Sequence, residues 1–313
     1  MSTKFSIVFP GQGSQSVTML AGLAESFSLV SETFQEASDA LGFDLWKMTQ
    51  AGSTEELNLT QNTQPAMLAA GIAVWRVWSA QGGLQPALMA GHSLGEYSAL
   101  VAAGSLGFAD AVKLVAERGR LMQEAVPEGV GAMAAILGLD DDKVRELCTE
   151  AAESEVVEAV NFNSPGQVVV AGSKSAVERM MALAKTAGAK RALPLPVSVP
   201  SHCALMKPAA EKLATCLTGI EIAAPTIPVI HNVTVDKTND PNEIRGLLAQ
   251  QLHSPVRWVE TIQTMAKNES KYIIEAGPGK VLAGLCKRID RTVSGLAVFD
   301  PASLEKAMET INA

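Results

Sequence analysis

The segment PALMAGHSLGEYSALVAAG at residues 86–104 predicts a short strand, a sharp turn and a helix. The apolar run Pro86–Gly91 predicts the strand, and the helix is predicted over Leu94–Ala103, ending at Gly104. Between them stands Gly91-His92-Ser93-Leu94-Gly95, which matches the pattern G-x-S-x-G. The segment therefore predicts a strand that is followed, at its carboxyl end, by a serine in a sharp turn.

The G-x-S-x-G spacing has a physical reason at a strand-to-helix turn. The turn is sharp enough to hold the serine in an unusual backbone conformation with its hydroxyl exposed, and the two glycines let strand and helix approach closely. The amide of Leu94, at the start of the helix, can then point at a developing oxyanion. Ser93 is therefore a candidate nucleophile, and the alternative is a glycine-rich turn with an incidental serine.

Strand-like and helical runs alternate along the chain, which indicates an α/β protein. Apolar runs predict strands over Lys4–Phe9, Val229–Asn232 and Tyr272–Glu275. The run Pro65–Ala80 is apolar nearly all round and predicts a buried helix with proline in its first turn. These elements predict one large domain.

A different rhythm between about residues 127 and 198 predicts a second, smaller domain. Its elements follow the order βαββαβ, the split unit of ferredoxin-like folds. We therefore place a small domain at 127–198 inside a larger domain formed by 1–126 and 199–313. A cleft between two domains is a common ligand site, so the insertion bears on function. The predicted strands are Ala132–Leu137, Val156–Phe162, Gln167–Ala171 and Arg191–Val197, and the predicted helices are Asp141–Ala152 and Ser175–Ala187.

The composition argues against two classes of partner. The 313 residues are 47% hydrophobic and 19% charged, with a net charge of -8 and a pI near 5.2. A nucleic-acid binder would be basic, as would a protein held to membranes by polybasic clusters. The longest apolar run, Pro65–Trp75, is too short to span a bilayer. We expect neither a nucleic acid nor a membrane as a partner.

The first residues and the cysteines indicate a compartment. Met1–Pro10 lacks the long apolar stretch and the cleavage site of a signal peptide. The four cysteines form no CxxC pair and no spacing with histidine that suits zinc. We therefore expect a reduced, cytoplasmic protein without a metal site.

A nucleophilic serine needs a base, and the chain has four histidines, His92, His202, His231 and His253. His92 adjoins the serine, so its side chain should point away and make a structural hydrogen bond. His202 lies in a proline-rich loop at the predicted domain junction, which favours it modestly over His231 and His253. No acid stands out as the third member, so either an acid in a loop or a neutral acceptor orients the imidazole.

The predicted helix Ala109–Val126 carries a charged residue on its apolar stripe. Arg118 lies between Leu114 and Met122, four residues from each. Because an unpaired buried charge is costly, this guanidinium must find an anion or carbonyl groups. A structural pair with an acid and a bidentate clamp for a substrate carboxylate are equally open.

The turn after the first strand, Gly11-Gln12-Gly13-Ser14-Gln15, predicts backbone amides that face a ligand. Ser16 occupies the third glycine position of a dinucleotide fingerprint, and no P-loop motif occurs. Nucleotide hydrolysis and nicotinamide chemistry therefore have no support, and we expect no cofactor.

Five motifs occur in one order along the chain, namely FPGQGSQ at 9–15, GHSLGE at 91–96, RGR at 118–120, PSH at 200–202 and EAGPG at 275–279. Together they closely resemble the malonyl-CoA:acyl carrier protein transacylases, the acyltransferases of bacterial fatty-acid synthesis. The resemblance covers nearly the whole chain. It implies an α/β-hydrolase-like large domain with a parallel sheet and an inserted ferredoxin-like small domain.

The resemblance implies a role for each matching residue. Ser93 corresponds to the family's nucleophile and His202 to its base. Arg118 corresponds to the arginine that binds the malonyl carboxylate. The backbone amides of Gln12 and Leu94 correspond to the oxyanion hole.

Two glutamines are also implied by the resemblance. In the family, the histidine is oriented by the backbone carbonyl of a glutamine in a Q-L-x-x-P-V motif. Gln251-Leu252-His253-Ser254-Pro255-Val256 matches this motif, which would explain the missing acid. Gln64 resembles a further residue of the substrate pocket, and Leu94 resembles the residue of malonyl-specific members.

The predicted activity is transfer of a malonyl group from malonyl-CoA to the phosphopantetheine thiol of acyl carrier protein through a malonyl-serine. The resemblance implies no metal and no bound cofactor, and we expect a monomer. A serine hydrolase or thioesterase acting on carboxyacyl-CoA is the alternative, because the elbow serves it equally well. A non-catalytic binding module is disfavoured by the intact Ser93 and His202.

Overall fold

Two separate β-sheets organise the residues that the computed structural model describes, which are 4–197 and 199–313. The predicted domain limits at positions 1 and 198 lie outside these residues. The strands are β1 (Phe5–Phe9), β2 (Leu88–Gly91), β3 (Gly131–Leu137), β4 (Val157–Ser164), β5 (Gln167–Ser173), β6 (Arg191–Pro194), β7 (Val229–Ile230), β8 (Tyr272–Ala276) and β9 (Ser294–Val298). The helices are α1 (Ala21–Ser26), α2 (Ser28–Leu41), α3 (Leu45–Ala51), α4 (Thr54–Asn58), α5 (Thr60–Ala80), α6 (Gly95–Ala102), α7 (Phe108–Ala125), α8 (Asp141–Ala152), α9 (Lys174–Thr186), α10 (Lys207–Leu217), α11 (Pro241–Gln250), α12 (Trp258–Lys267), α13 (Val281–Ile289) and α14 (Pro301–Asn312).

The larger sheet places the ends of β1 and β2 side by side. Its strand order is β7-β2-β1-β8-β9, and every pairing is parallel. Phe9 pairs with Gly91, so the loop after β1 lies next to the turn after β2. Both strands are buried at every position, as expected when helices cover both faces of a parallel sheet. Ligands of open α/β sheets bind at this carboxyl edge.

The smaller sheet is antiparallel, with the strand order β4-β5-β3-β6. Its elements run β3-α8-β4-β5-α9-β6, the predicted βαββαβ order. The helices α8 and α9 cover it through a separate apolar cluster that includes Val144, Val170 and Met180. The α/β class, with a parallel sheet and a separate second sheet, is confirmed. The limits 127–198 for the small domain, and 1–126 with 199–313 for the large one, stay predictions.

Helix α5 begins at Thr60, five residues before the predicted start, so the prediction that Pro65 lies in the first turn is wrong. The hydroxyl of Thr63 donates to the carbonyl of Leu57 at 2.5 Å, which holds the early turn. Helix α7 packs closely here, because a Cβ on Gly119 would lie 2.7 Å from the carbonyl oxygen of Thr60. Proline inside the second turn removes one backbone hydrogen bond, which this packing tolerates.

Strand ends also differ from the prediction. β6 ends at Pro194 instead of Val197, because the amide of Val197 donates locally to the carbonyl of Leu195 instead of across the sheet. β7 ends at Ile230, after which the amide of His231 donates to the carbonyl of Asp236 in a turn. The edge strand β9 was not predicted.

Among the described residues, no helix combines the length and the apolar character needed to cross a membrane.

Candidate active site

Ser93 lies at the turn between β2 and α6 in a left-handed backbone conformation, with φ of 52°. A Cβ on Gly91 would lie 1.8 Å from the carbonyl carbon of Gly95, and a Cβ on Gly95 would lie 2.1 Å from the carbonyl oxygen of Phe9. Both positions therefore require glycine where strand and helix meet. The turn is as sharp as the sequence predicts.

Ser93, His202 and Gln251 form one hydrogen-bonded chain. The Oγ of Ser93 lies 2.7 Å from Nε2 of His202, and Nδ1 of His202 lies 2.8 Å from the backbone carbonyl oxygen of Gln251. Because a carbonyl oxygen only accepts, Nδ1 carries the ring proton and Nε2 is left to accept from the serine. The sequence leaves open whether an acid or a neutral acceptor orients the imidazole. In the structure a neutral acceptor, the backbone carbonyl of Gln251, contacts it.

Backbone contacts keep His202 beside this carbonyl. The amide of His202 donates to the carbonyl of Leu252 at 2.9 Å, and the φ of His202 is 68°. A short 3-10 helix, Gln251–His253, directly follows α11 and presents both carbonyl groups. Both the imidazole and the backbone amide of His202 are thus hydrogen-bonded to carbonyl groups of this 3-10 helix.

The imidazole of His202 is held in its neutral form. Burial, followed by the positive charge of Arg118, lowers the pKa of His202 to about 3, and the bond to the Gln251 carbonyl opposes the shift only in part. A neutral imidazole is the form that can take a proton from the serine.

This shift predicts the acid limb of the pH–rate profile. The acid limb of kcat/KM reports the pKa of the base in the free enzyme. The value of kcat/KM should therefore stay constant between pH 7 and pH 5, instead of halving near the ordinary histidine pKa of about 6.5. Below about pH 6.5 the unfolded chain binds a proton at this histidine that the folded chain does not, so stability falls as the pH falls. Initial rates are therefore measured directly after dilution from pH 7. A limb near pH 6.5 would contradict the assignment.

The guanidinium of Arg118 is buried behind the serine, with 1% of the residue exposed. Its Nη1 donates to Oε1 of Gln64 at 2.9 Å, and its Nη2 donates to Oε1 of Gln251 at 3.0 Å and to Oγ of Ser93 at 3.4 Å. It also lies 5.5 Å from the ring centroid of Tyr97, while its Nε has no hydrogen-bond partner in the part of the chain that the structure describes.

Among the described residues, Arg118 therefore contacts only neutral groups and forms no ion pair. The structural pair with an acid, one of the two readings open from the sequence, is not present. A buried guanidinium held by amides and a hydroxyl keeps a positive charge that no acidic side chain neutralises directly, and such a charge favours a bound anion.

Gln12 and Leu94 stand on either side of the paired strand ends. A Cβ on Gly11 would lie 2.4 Å from the carbonyl oxygen of His92, so the loop after β1 touches the elbow. Within the described residues, neither the Gln12 amide nor the Leu94 amide donates to another protein group. Two free N–H groups beside one serine are what an oxyanion hole requires.

A cavity of about 110 Å³ joins these groups. The larger-sheet part of the chain supplies Ser93, Arg118 and His202, together with Gln12, Gln64 and Leu94. Met133 and Asn161, which belong to the smaller sheet, also line it. The cleft between the two sheets therefore contains every predicted site residue except Gln251, which lies behind His202 and Arg118.

Comparison with known proteins gives the family. The acyl transferase domain model matches residues 6–299. The malonyl CoA-acyl carrier protein transacylase of Salmonella typhimurium is 60% identical over 306 residues, which cover 98% of this chain and 99% of that protein. The chain belongs to the malonyl CoA-acyl carrier protein transacylase family.

Solved structures of this family superpose closely. The transacylase of Coxiella burnetii is 51% identical, with a TM-score of 0.99 over 100% of this chain and 99% of that one. A malonyl-transacylase solved in complex with a type II PKS acyl-carrier protein is 57% identical, with a TM-score of 0.97 over 98% of this chain and 100% of that one.

Around the serine of this transacylase family member lie two residues that the sequence reasoning missed, Glu96 and Asn232. Glu96 is fully buried, and its carboxylate accepts from Nδ1 of His231 at 2.8 Å and from the amide of Asn232 at 3.0 Å. The side chain of Asn232 accepts from the amide of Ser93 and donates to the carbonyl of Gly91, at 2.8 and 2.7 Å. A lone acid in an apolar helix was the signal that could have found Glu96.

The other three histidines have different partners. Nε2 of His92 lies 2.8 Å from Oδ1 of Asn163, the structural hydrogen bond expected for it. His231 contacts Glu96, and His253 lines a separate groove between α10 and α11. Within the described residues, no group of three His, Cys, Asp or Glu side chains could hold a metal ion.

Proposed function

We propose that this chain transfers a malonyl group from malonyl-CoA to the phosphopantetheine thiol of acyl carrier protein. The observation that carries the proposal is Arg118, a buried guanidinium that forms no ion pair within residues 4–197 and 199–313 and whose Nη2 lies 3.4 Å from the Oγ of Ser93. An acyl group bound to that oxygen and ending in a carboxylate would place its charge beside the guanidinium. The names of the relatives and the carrier-protein complex of one neighbour support the same substrates.

In the first half-reaction, Nε2 of His202 takes the proton of Ser93 as Oγ attacks the thioester carbonyl. The amides of Gln12 and Leu94 bind the resulting oxyanion. The intermediate collapses with loss of the CoA thiolate, which receives the proton from the imidazolium. The products are CoA with a free thiol and malonyl-serine.

In the second half-reaction, the phosphopantetheine thiol of the carrier protein takes the place of CoA. His202 accepts the thiol proton, the thiolate attacks the ester carbonyl, and Oγ of Ser93 leaves with the proton returned by the imidazolium. The malonyl group keeps its carboxylate on Arg118 through both steps. The cycle ends with malonyl carrier protein and free serine.

A serine hydrolase or thioesterase acting on carboxyacyl-CoA would use the same first half-reaction with water as the acceptor. The elbow and the base serve both reactions equally. The names of the relatives favour transfer over this alternative.

The deciding experiment is intact mass after exposure to malonyl-CoA, with the adduct mapped by peptide. We expect a malonyl adduct on Ser93 that disappears when phosphopantetheinylated carrier protein is added, with malonyl carrier protein as the product. Ser93→Ala should gain no adduct. Release of free malonate that exceeds transfer, with the carrier protein present, would favour the hydrolase instead, and no adduct would favour a binding module.

We also propose a compartment, an oligomeric state and domain limits for this chain. The chain works in the cytoplasm, because its four cysteines are free and three of them are buried, as suits a reducing compartment. It acts as a monomer, since one chain supplies every group named in the cycle. The domains follow the limits 127–198 and 1–126 with 199–313.

A further inference from the structure

The carboxylate of Glu96 lies buried behind the site and does not line the cavity. Three donors reach it, namely Nδ1 of His231, the amide of Asn232 and Nε2 of Gln251, the last at 2.8 Å. Isolated buried carboxylates are costly, so an acid at this position with three hydrogen bonds has a specific use.

The carboxylate fixes which way the side-chain amide of Gln251 points. A carboxylate only accepts, so the NH₂ end of Gln251 must face Glu96, and its second hydrogen donates to the carbonyl of Ser93 at 3.0 Å. The Oε1 end then faces Nη2 of Arg118 at 3.0 Å. The reversed amide would place two acceptors together at Glu96 and two donors together at Arg118.

Gln251 consequently holds two groups of the site at once. Its backbone carbonyl accepts from His202, and its side-chain oxygen accepts from Arg118. The first contact needs only the backbone, whereas the second depends on the amide orientation that Glu96 imposes.

We propose that Glu96 is a positioning residue that acts through Gln251 to aim Arg118 at the carboxylate of the acyl group. The proposal rests on the proposed function, because it concerns the preference for acyl groups that end in a carboxylate. Glu96 touches neither substrate nor reacting atoms. Glu96 therefore affects the choice of acyl group. This role is separate from its hydrogen bond to Asn232, which supports the elbow.

His231 predicts which replacement of Glu96 is tolerated. Its Nε2 is buried and has no partner among the described residues, so the ring proton can move to Nε2 and leave Nδ1 as an acceptor. In Glu96→Gln, the new amide can then donate to Nδ1 of His231. Its oxygen still accepts from Asn232 and Gln251, so the orientation of Gln251 survives. Glu96→Met has no acceptor and loses it.

The test compares kcat/KM for malonyl-CoA and acetyl-CoA, because any general damage to the elbow or the base affects both donors and cancels in their ratio. Glu96→Met should lower the malonyl-to-acetyl ratio by about 10- to 100-fold, the scale of a misplacement near 1 Å. Glu96→Gln should keep the ratio within about threefold, as a retained hydrogen-bond pattern implies. Ser98→Ala, which removes another buried polar group of α6, is the matched control and should leave the ratio unchanged.

Three further variants test whether Glu96 acts through Gln251 and guard against misfolding. Gln251→Met should reproduce the loss in the ratio, and the double variant Glu96→Met with Gln251→Met should lose no more than Gln251→Met alone. If Glu96→Met does not fold, Glu96→Asp replaces it, because the shortened side chain withdraws the carboxylate from Gln251.

Equal losses for both acyl donors in Glu96→Met would overturn the proposal and leave Glu96 as support for the elbow. A Glu96→Gln variant as selective as Glu96→Met would overturn the hydrogen-bond explanation. The proposed function fails separately, if the unaltered enzyme itself shows no preference for malonyl-CoA over acetyl-CoA.

Discussion

Arg118→Ala should lower kcat/KM for malonyl-CoA by about 30-fold to several thousand-fold, equivalent to about 2–5 kcal/mol. The physical reason is the burial of the guanidinium among neutral partners. A malonyl carboxylate seated beside this buried position would lose its counter-charge, and the penalty for an unpaired buried charge is large. Transfer from acetyl-CoA should change far less, so the gap between the two acyl donors should narrow.

The measurement is steady-state transfer from both donors, with thermal unfolding as a check on the fold. Unfolding matters because removal of Arg118 leaves the side-chain oxygens of Gln64 and Gln251 without their donor. Arg76→Ala is the matched control, since Arg76 also lies over an aromatic ring, 4.7 Å from the centroid of Phe108, but pairs with Glu36 outside the cavity. Equal losses for malonyl-CoA and acetyl-CoA would show that Arg118 is only structural.

The fold was predictable where local pattern and tertiary structure agree. The segment 86–104 combines an apolar strand, obligatory glycines and an apolar helix, and the structure contains each of them within one or two residues of the prediction. The order βαββαβ followed from clear alternation of hydrophobic runs in the same way. The start of α5 was missed because it depends on the close approach of α7 at Gly119, a contact between segments distant in sequence.

The site was predictable to the extent that chemistry restricts residue types. An arginine on an apolar stripe and a serine between two glycines both need an explanation from the sequence alone, and both line the cavity. The neutral acceptor for His202 came from a resemblance, since any residue has a backbone carbonyl and no pattern of side chains reveals its use. Asn232 supports Ser93 from 139 positions away, and nothing in its own surroundings predicts that contact.

Glu96 is the exception that sequence reasoning could have reached. A charge among apolar residues must have a buried partner, and this holds for a lone acid in helix α6 as it does for Arg118. The sequence could not show how the opposite charges of Glu96 and Arg118 are connected. They meet through the amide of Gln251, and its orientation is a property of the whole network.

His202→Ala should reduce the rate of Ser93 acylation by malonyl-CoA by about 100- to 10,000-fold, the usual contribution of a positioned general base. The variant would keep the serine on its elbow, the two free amides and the guanidinium. The affinity for malonyl-CoA should therefore change much less than the rate of acylation. The loss should therefore appear in the rate of adduct formation at saturating malonyl-CoA, followed by intact mass at timed intervals. Without an imidazole to take the proton, the remaining rate should rise with pH, because hydroxide replaces the base.

His253→Ala is the control, since His253 is the last residue of the same 3-10 helix but faces the groove between α10 and α11. It should acylate at the unaltered rate. Added imidazole should restore part of the activity of His202→Ala, because the cavity left by the side chain lies between the serine hydroxyl and the Gln251 carbonyl that orients the ring. A His202→Ala variant that acylates within a few-fold of the unaltered enzyme would mean that another group takes the serine proton, and the 2.7 Å contact would then be a structural hydrogen bond.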